Sequence, residues 1–192
     1  MIRLSIIAAT LLFSISSAHA GLIGSKHDFS QLGGYACAYC HSVHNAIGGL
    51  GRPAYMGPLP QITKVYSSAT IANKPTLDSV NKSDAPLCLT CHDGTNVTTL
   101  GKPTLAAKIV GTNADLNADG KGLSNDHPVG FVFNAALNPT LKTPGGDVHV
   151  QFGPQRNEMW CASCHNPHNN SFPPFLAMSN EGSALCLECH IK

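Results

Sequence analysis

Eight cysteines and ten histidines hold most of the reactive side chains in this 192-residue sequence. Every cysteine falls into one five-residue pattern: Cys37-Ala-Tyr-Cys40-His41, Cys88-Leu-Thr-Cys91-His92, Cys161-Ala-Ser-Cys164-His165 and Cys186-Leu-Glu-Cys189-His190. An even cysteine count invites disulfides, and paired thiols alone would serve zinc binding or dithiol exchange. None of these explains a histidine directly after each pair. C-x-x-C-H is the spacing of covalent haem attachment, in which two thioether bonds fix the macrocycle and the next imidazole is held over the iron. Four copies that use all eight thiols predict four covalently bound haem c groups. His41, His92, His165 and His190 are then the proximal iron ligands.

The second axial ligand decides the chemistry, because an iron closed on both faces exchanges electrons whereas an open one can bind and transform a substrate. Apart from His19 near the start, the remaining histidines are His27, His44, His127, His149 and His168. Five candidates face four irons. Surplus histidine makes bis-His ligation the simplest assignment, with Met56, Met159 and Met178 read as packing residues.

His44 and His168 each follow a proximal histidine by three residues, so on a helical turn each shares a face with its predecessor and cannot lie trans to it on the same iron. Each must reach a neighbouring haem, which predicts closely stacked macrocycles. His127, in Asp126-His127-Pro128, has its backbone restricted by the proline. His27 lies in Ser25-Lys-His-Asp-Phe29 near the expected mature start. The expected distal set is therefore His27, His44, His127 and His168, with His149 as a spare between Val148 and Val150. No acid–base cluster accompanies a ligand-poor motif, so the pattern favours electron transfer over catalysis and the chain is not read as an enzyme.

A further pattern is unrelated to haem. Asp115, Asn117, Asp119, Lys121 and Asp126 occupy positions 1, 3, 5, 7 and 12 of a calcium loop, with Gly120 at position 6. Aspartate replaces the usual final glutamate, and the same residues make an ordinary Asn/Asp/Gly turn without metal.

Glycine and proline supply 31 residues, all after position 20, which excludes long regular elements. A short helix is predicted around each motif, with Asp84 or Ser183 as N-caps, and short strands at 130–134 and 148–152. The first and third motifs continue to a second histidine and asparagine, whereas the second and fourth share Leu-Cys-Leu-x-Cys-His, an A-B-A-B repeat. The expected fold is a mostly irregular, haem-packed single domain over 21–192, with short helices at the haem-binding motifs and few short strands. Tyr35, Tyr39, Phe131, Phe133 and Trp160 are expected ring contacts. A chain of this size has a radius of gyration of about 16 Å, too small to isolate four such cofactors electronically.

Residues 1–20 read as a signal peptide: Arg3, an apolar run from Leu4 to Ile15, and Ala18-His19-Ala20 before Gly21. No later window is long and apolar enough to span a bilayer, so an exported, non-membrane-spanning product is expected. Without Arg3 the chain carries 11 basic and 11 acidic side chains, a balance that argues against nucleic acid.

The sequence resembles the multihaem c-type cytochromes. The resemblance lies in Lys26-His27, C-x-x-C-H-x-x-H-Asn at 37–45 and 161–169, Cys-His-Asp-Gly at 91–94 and Asp-His-Pro-Val-Gly at 126–130. Within that family it is similar to the small tetrahaem subunits of extracellular filaments, of the OmcE type, from metal-reducing bacteria. That likeness implies a homopolymer conducting electrons at the cell surface, with redox proteins or extracellular acceptors as partners and an axial histidine supplied by the next subunit, here assigned to His27. A soluble periplasmic tetrahaem carrier is the alternative, and a reductase with one open iron a third reading.

Overall fold

The computed structural model describes residues 21–32, 36–41, 60, 62–95 and 103–192. The expected signal peptide, His44, Tyr35 and Met56 lie outside these residues. Among the described residues regular structure is sparse. Helix α1 spans Leu77–Asn81, α2 Ala85–His92, α3 Pro103–Ile109 and α4 Ala184–Leu187. Strands β1 (Phe131–Val132) and β2 (Glu158–Met159) pair antiparallel, with Phe131 opposite Met159. The rest is 3-10 turn, bend and loop, so the molecule is a mostly irregular domain with short helices at its motifs.

Each C-x-x-C-H segment forms a helical turn. The second is the C-terminal half of α2, and the first and third lie on 3-10 turns at Ala36–Tyr39 and Cys161–Ser163. In the first, third and fourth the histidine amide donates to the carbonyl of the first cysteine, at 2.9, 3.1 and 3.0 Å. That closure puts both sulfurs and the imidazole on consecutive turns of one spiral.

Helix α1 begins with a reciprocal cap: the Ser79 amide donates to Thr76 Oγ1 at 3.0 Å and the Thr76 amide to Ser79 Oγ at 2.9 Å. The α1–α2 corner turns on Ser83, fully buried, whose hydroxyl donates to Val80 O and accepts from the Ala85 amide. Val80, Ala85 and Leu89 then pack with Ile62 and Leu123, and Cys161 lies against this cluster. Gly130 has φ of +71°, and a Cβ there would fall 2.6 Å from Val80 Cα, so only glycine lets β1 enter beside α1. A second cluster joins Phe133, Val148, Met159 and Cys189, and a third gathers Phe29, Leu32 and Cys91 around Ile109. All three apolar clusters thus contact an attachment cysteine.

Two expectations change. The strand predicted at 148–152 is only an isolated bridge, Phe152 to Glu158, because Val148 is drawn into the second cluster. The partner of β1 is instead 158–159. Asp84 and Ser183 precede α2 and α4 as predicted, but neither side chain caps its own helix. No helix among the described residues is long and apolar enough to cross a membrane.

Candidate metal centres

The imidazoles meet in pairs. His92 faces His27 at a ring-centre distance of 6.0 Å, His41 faces His168 at 5.9 Å, and His190 faces His127 at 6.3 Å. Two imidazoles on opposite faces of one iron, each bonded at the about 2.0–2.1 Å usual for metal–histidine contacts, would have ring centres roughly 6 Å apart. Their interplanar angles of 66°, 20° and 84° fit as well, since each ring turns freely about the shared bond axis. In every pair one ring belongs to a motif and the other comes from a distant segment.

The orientation of two motif rings is fixed from behind. His92 Nδ1 donates to the carbonyl of Ala114 at 2.7 Å, and His165 Nδ1 to that of Pro174 at 3.2 Å. A carbonyl only accepts, so Nδ1 carries the proton and Nε2 presents its lone pair, the tautomer a metal requires. Burial lowers the pKa of His27, with the nearby His92 contributing next. His127 is lowered by burial first and also by His190, although its outer edge is exposed. Both effects favour the neutral, ligating form.

His27 is built into this arrangement. Asp28 accepts from the amides of Gly24 (2.8 Å) and Ser30 (3.1 Å), folding the segment back, and the His27 ring stacks on buried Phe175 at 4.2 Å. The residue assigned by resemblance to a neighbouring subunit faces His92 within its own chain. His168 reaches His41 rather than the iron side of its own motif, as the i, i+3 spacing requires. His149 is exposed and borders an open groove with Arg156 and Asn157.

Between His127 and His190 lies a cavity of about 310 Å³ whose wall includes Phe131, Phe133, Leu141, Val148, Leu185 and both Cys186 and Cys189. An apolar slot with both thiols of the fourth motif, Cys164 of the third and two imidazoles on its border suits the flat face of a haem. Burial pushes the Cys189 thiol up to about 11. Of the other expected ring contacts, Tyr39 packs on Phe29 at 5.4 Å and Trp160 stacks on Phe152 at 5.4 Å while donating from Nε1 to Glu158. Met159 is buried in the second apolar cluster and Met178 packs against it.

The calcium-like loop uses its oxygens differently. Asp115 accepts from the Gly111 and Asn117 amides, Asn117 Oδ1 from the Gly122 amide, and Asp119 from the Lys121 amide, with Lys121 Nζ in an ion pair with it at 3.2 Å. Asp126 Oδ2 is buried without a hydrogen-bond partner. Asp115, Asp119 and Asp126 do not converge: among the described residues the group of three whose ligand atoms lie within 4.8 Å of one another is Asp84, Cys88 and Cys161. The start of the loop instead clasps the end of α2, because the Leu116 amide donates to His92 O at 2.8 Å beside the Ala114–His92 bond.

Comparison with known proteins agrees with this chemistry. Residues 153–192 match the family described as "Doubled CXXCH motif". The matched segment contains the third and fourth motifs and supports a multihaem c-type cytochrome with covalently bound haem c. No curated protein matches the chain.

Proposed function

We propose that the chain is a tetrahaem c-type cytochrome that carries electrons through closely spaced bis-His haems, working outside the cell as a subunit of a conductive filament. The reading is carried by the three facing imidazole pairs, each a motif histidine opposed by a histidine from elsewhere at the separation one iron needs. The fourth motif histidine, His165, then takes His44 by reciprocity, because His168, three residues after His165, faces His41, and His44 stands three residues after His41. This assignment leaves His149 as the spare and needs no ligand from a neighbouring subunit.

Haem supplies one-electron chemistry when bound. The chain's part is to hold and enclose it. Two cysteines per motif anchor each group, and carbonyls behind His92 and His165 set the imidazole tautomer. With haem bound, His27, His168 and His127 would join the motif histidines they face in ligating three irons, which favours electron transfer over reduction of a bound molecule.

Export is supported by the signal-like residues 1–20. The filament reading draws on the motifs that carry the resemblance and on exposed apolar side chains, Ile23, Leu77, Leu137, Phe172 and Ile191, which head-to-tail contacts would cover. Two measurements test the proposal. Haem counting with electron paramagnetic resonance should give four haems per chain, all low-spin, and a high-spin signal with carbon monoxide binding would point to a reductase. Electron microscopy of secreted material should show filaments. Discrete monomers at every concentration would reduce the role to that of a soluble carrier.

A further inference from the structure

We propose that Asp84 is a positioning residue, a carboxylate strut that locks the second and third attachment motifs together and tunes the two haems they carry. It rests on the reading above that both motifs bear haem. Asp84 precedes Ala85-Pro86 and has helical backbone angles, φ −76° and ψ −9°, and its carbonyl accepts from the Leu87 and Cys88 amides, yet its side chain makes no hydrogen bond to the helix it begins. Its two oxygens cross to another part of the chain. Oδ1 accepts from the Cys161 amide at 3.0 Å and Oδ2 from the Ala162 amide at 2.8 Å. These are the first two amides of the turn that carries the third motif, otherwise left without helical partners.

The same turn is closed from within, since the Trp160 amide donates to Ser163 Oγ at 2.9 Å and Ser163 is fully buried. One carboxylate therefore fixes the start of α2 against a turn more than seventy residues away. The consequence falls on the sulfurs: an Asp84 oxygen, Cys88 Sγ and Cys161 Sγ all lie within 4.8 Å of one another. Thiols consumed in thioether bonds are not thiolate ligands for another ion, so this group is not an additional metal site. It is the point where the edges of two attachment sites are held side by side.

Charge gives the strut a second effect. Neither ion pair among the described residues involves Asp84, so backbone amides rather than a cation hold its charge. A negative group at this junction favours the more positive, oxidised state of both neighbouring irons. The amides that Asp84 holds belong to the third motif, and its own helix carries the second.

The test compares haem-loaded wild type with Asp84→Asn and Asp84→Glu in the full chain, by redox titration at pH 8 and by mass spectrometry of haem peptides. Asp84→Asn should raise two of the four midpoints and leave two unmoved, while Asp84→Glu, which keeps the charge, should hold all four. Unmoved midpoints in Asp84→Asn, an equal rise in all four, or identical behaviour of the two variants would overturn the proposal. If Asp84→Asn assembles incompletely, haem loss confined to the Cys88/Cys91 and Cys161/Cys164 peptides supports the strut and uniform loss overturns it. A wild type without haem would sink the functional reading instead. The strut is then judged by hydrogen exchange of the Cys161 and Ala162 amides: protection in wild type that Asp84→Ala removes supports it, and equal exchange overturns it.

Discussion

The second and fourth attachment sites share the sequence Leu-Cys-Leu-x-Cys-His, yet the molecule surrounds them differently. The second sits on the eight-residue α2, with Ala85, Pro86, Leu89 and Thr90 buried and His92 bonded to the 114–116 segment. The fourth sits on the four-residue α4, with Cys186 and His190 exposed beside the 310 Å³ cavity. The difference begins just upstream. Ser83-Asp84-Ala85-Pro86 feeds α2 through a buried corner, whereas Gly182 and Ser183 enter α4 with φ of 60° and 68°, which interrupts any longer helix. The motif is the same in both, and the preceding residues decide whether polypeptide packs around it or a cavity is left beside it.

The largest expected effect comes from emptying each site. Cys88→Ala/Cys91→Ala and Cys186→Ala/Cys189→Ala should each retain three haems, with the greater loss of melting temperature at the fourth site, where no α1–α2 core remains to support the segment. Equal losses would erase the contrast. Next, His27→Ala and His127→Ala should each convert one iron to a high-spin, carbon-monoxide-binding form, visible in the Soret spectrum, while His149→Ala should change nothing.

Packing should differ at matched positions. Leu89→Ala is expected to cost about 2–5 kcal/mol in denaturant unfolding, and Leu187→Ala less, since Leu89 is buried and Leu187 only half-buried. Glu188→Ala removes the acceptor for the Gly145 and Gly146 amides at an exposed position and should cost roughly 0.5–1.5 kcal/mol.

The smallest effect concerns pH. Burial raises the Asp84 pKa, against the pull of the Ala162 and Cys161 amides. The fold therefore holds this proton more tightly than the unfolded chain does. The stability it contributes is full below the ordinary carboxylate range and is lost as pH rises through the raised value. Asp84→Asn should flatten that slope in a series of melts.

What could be read from residue order was whatever depends on neighbours a few positions away. The helical turn at each motif follows from its own five residues, and the scarcity of regular elements follows from glycine and proline. Facing partners were beyond reach: His27, His127 and His168 stood out as spare imidazoles, but which motif each opposes depends on loops such as 165–176. Asp84 was misjudged for a related reason, because its position predicts a local cap while its oxygens serve amides in another segment. The 115–126 oxygens accept from nearby amides, and such Asx turns use the same residues at the same short spacings as a cation loop, so residue order alone does not separate the two. Strand β2 left no signal, being two residues long and held by its pairing with β1.

The facing imidazoles also bear on whether the A-B-A-B repeat marks two separable halves. The intervals 27–92, 41–168 and 127–190 overlap in succession. Any break in the backbone between 27 and 190 consequently parts at least one ring from its opposite. A fragment ending midway through the chain would keep its thiols but strand His41 without His168, so the duplicated pattern has become a single interlaced unit that cannot be divided along the line of its own repeat.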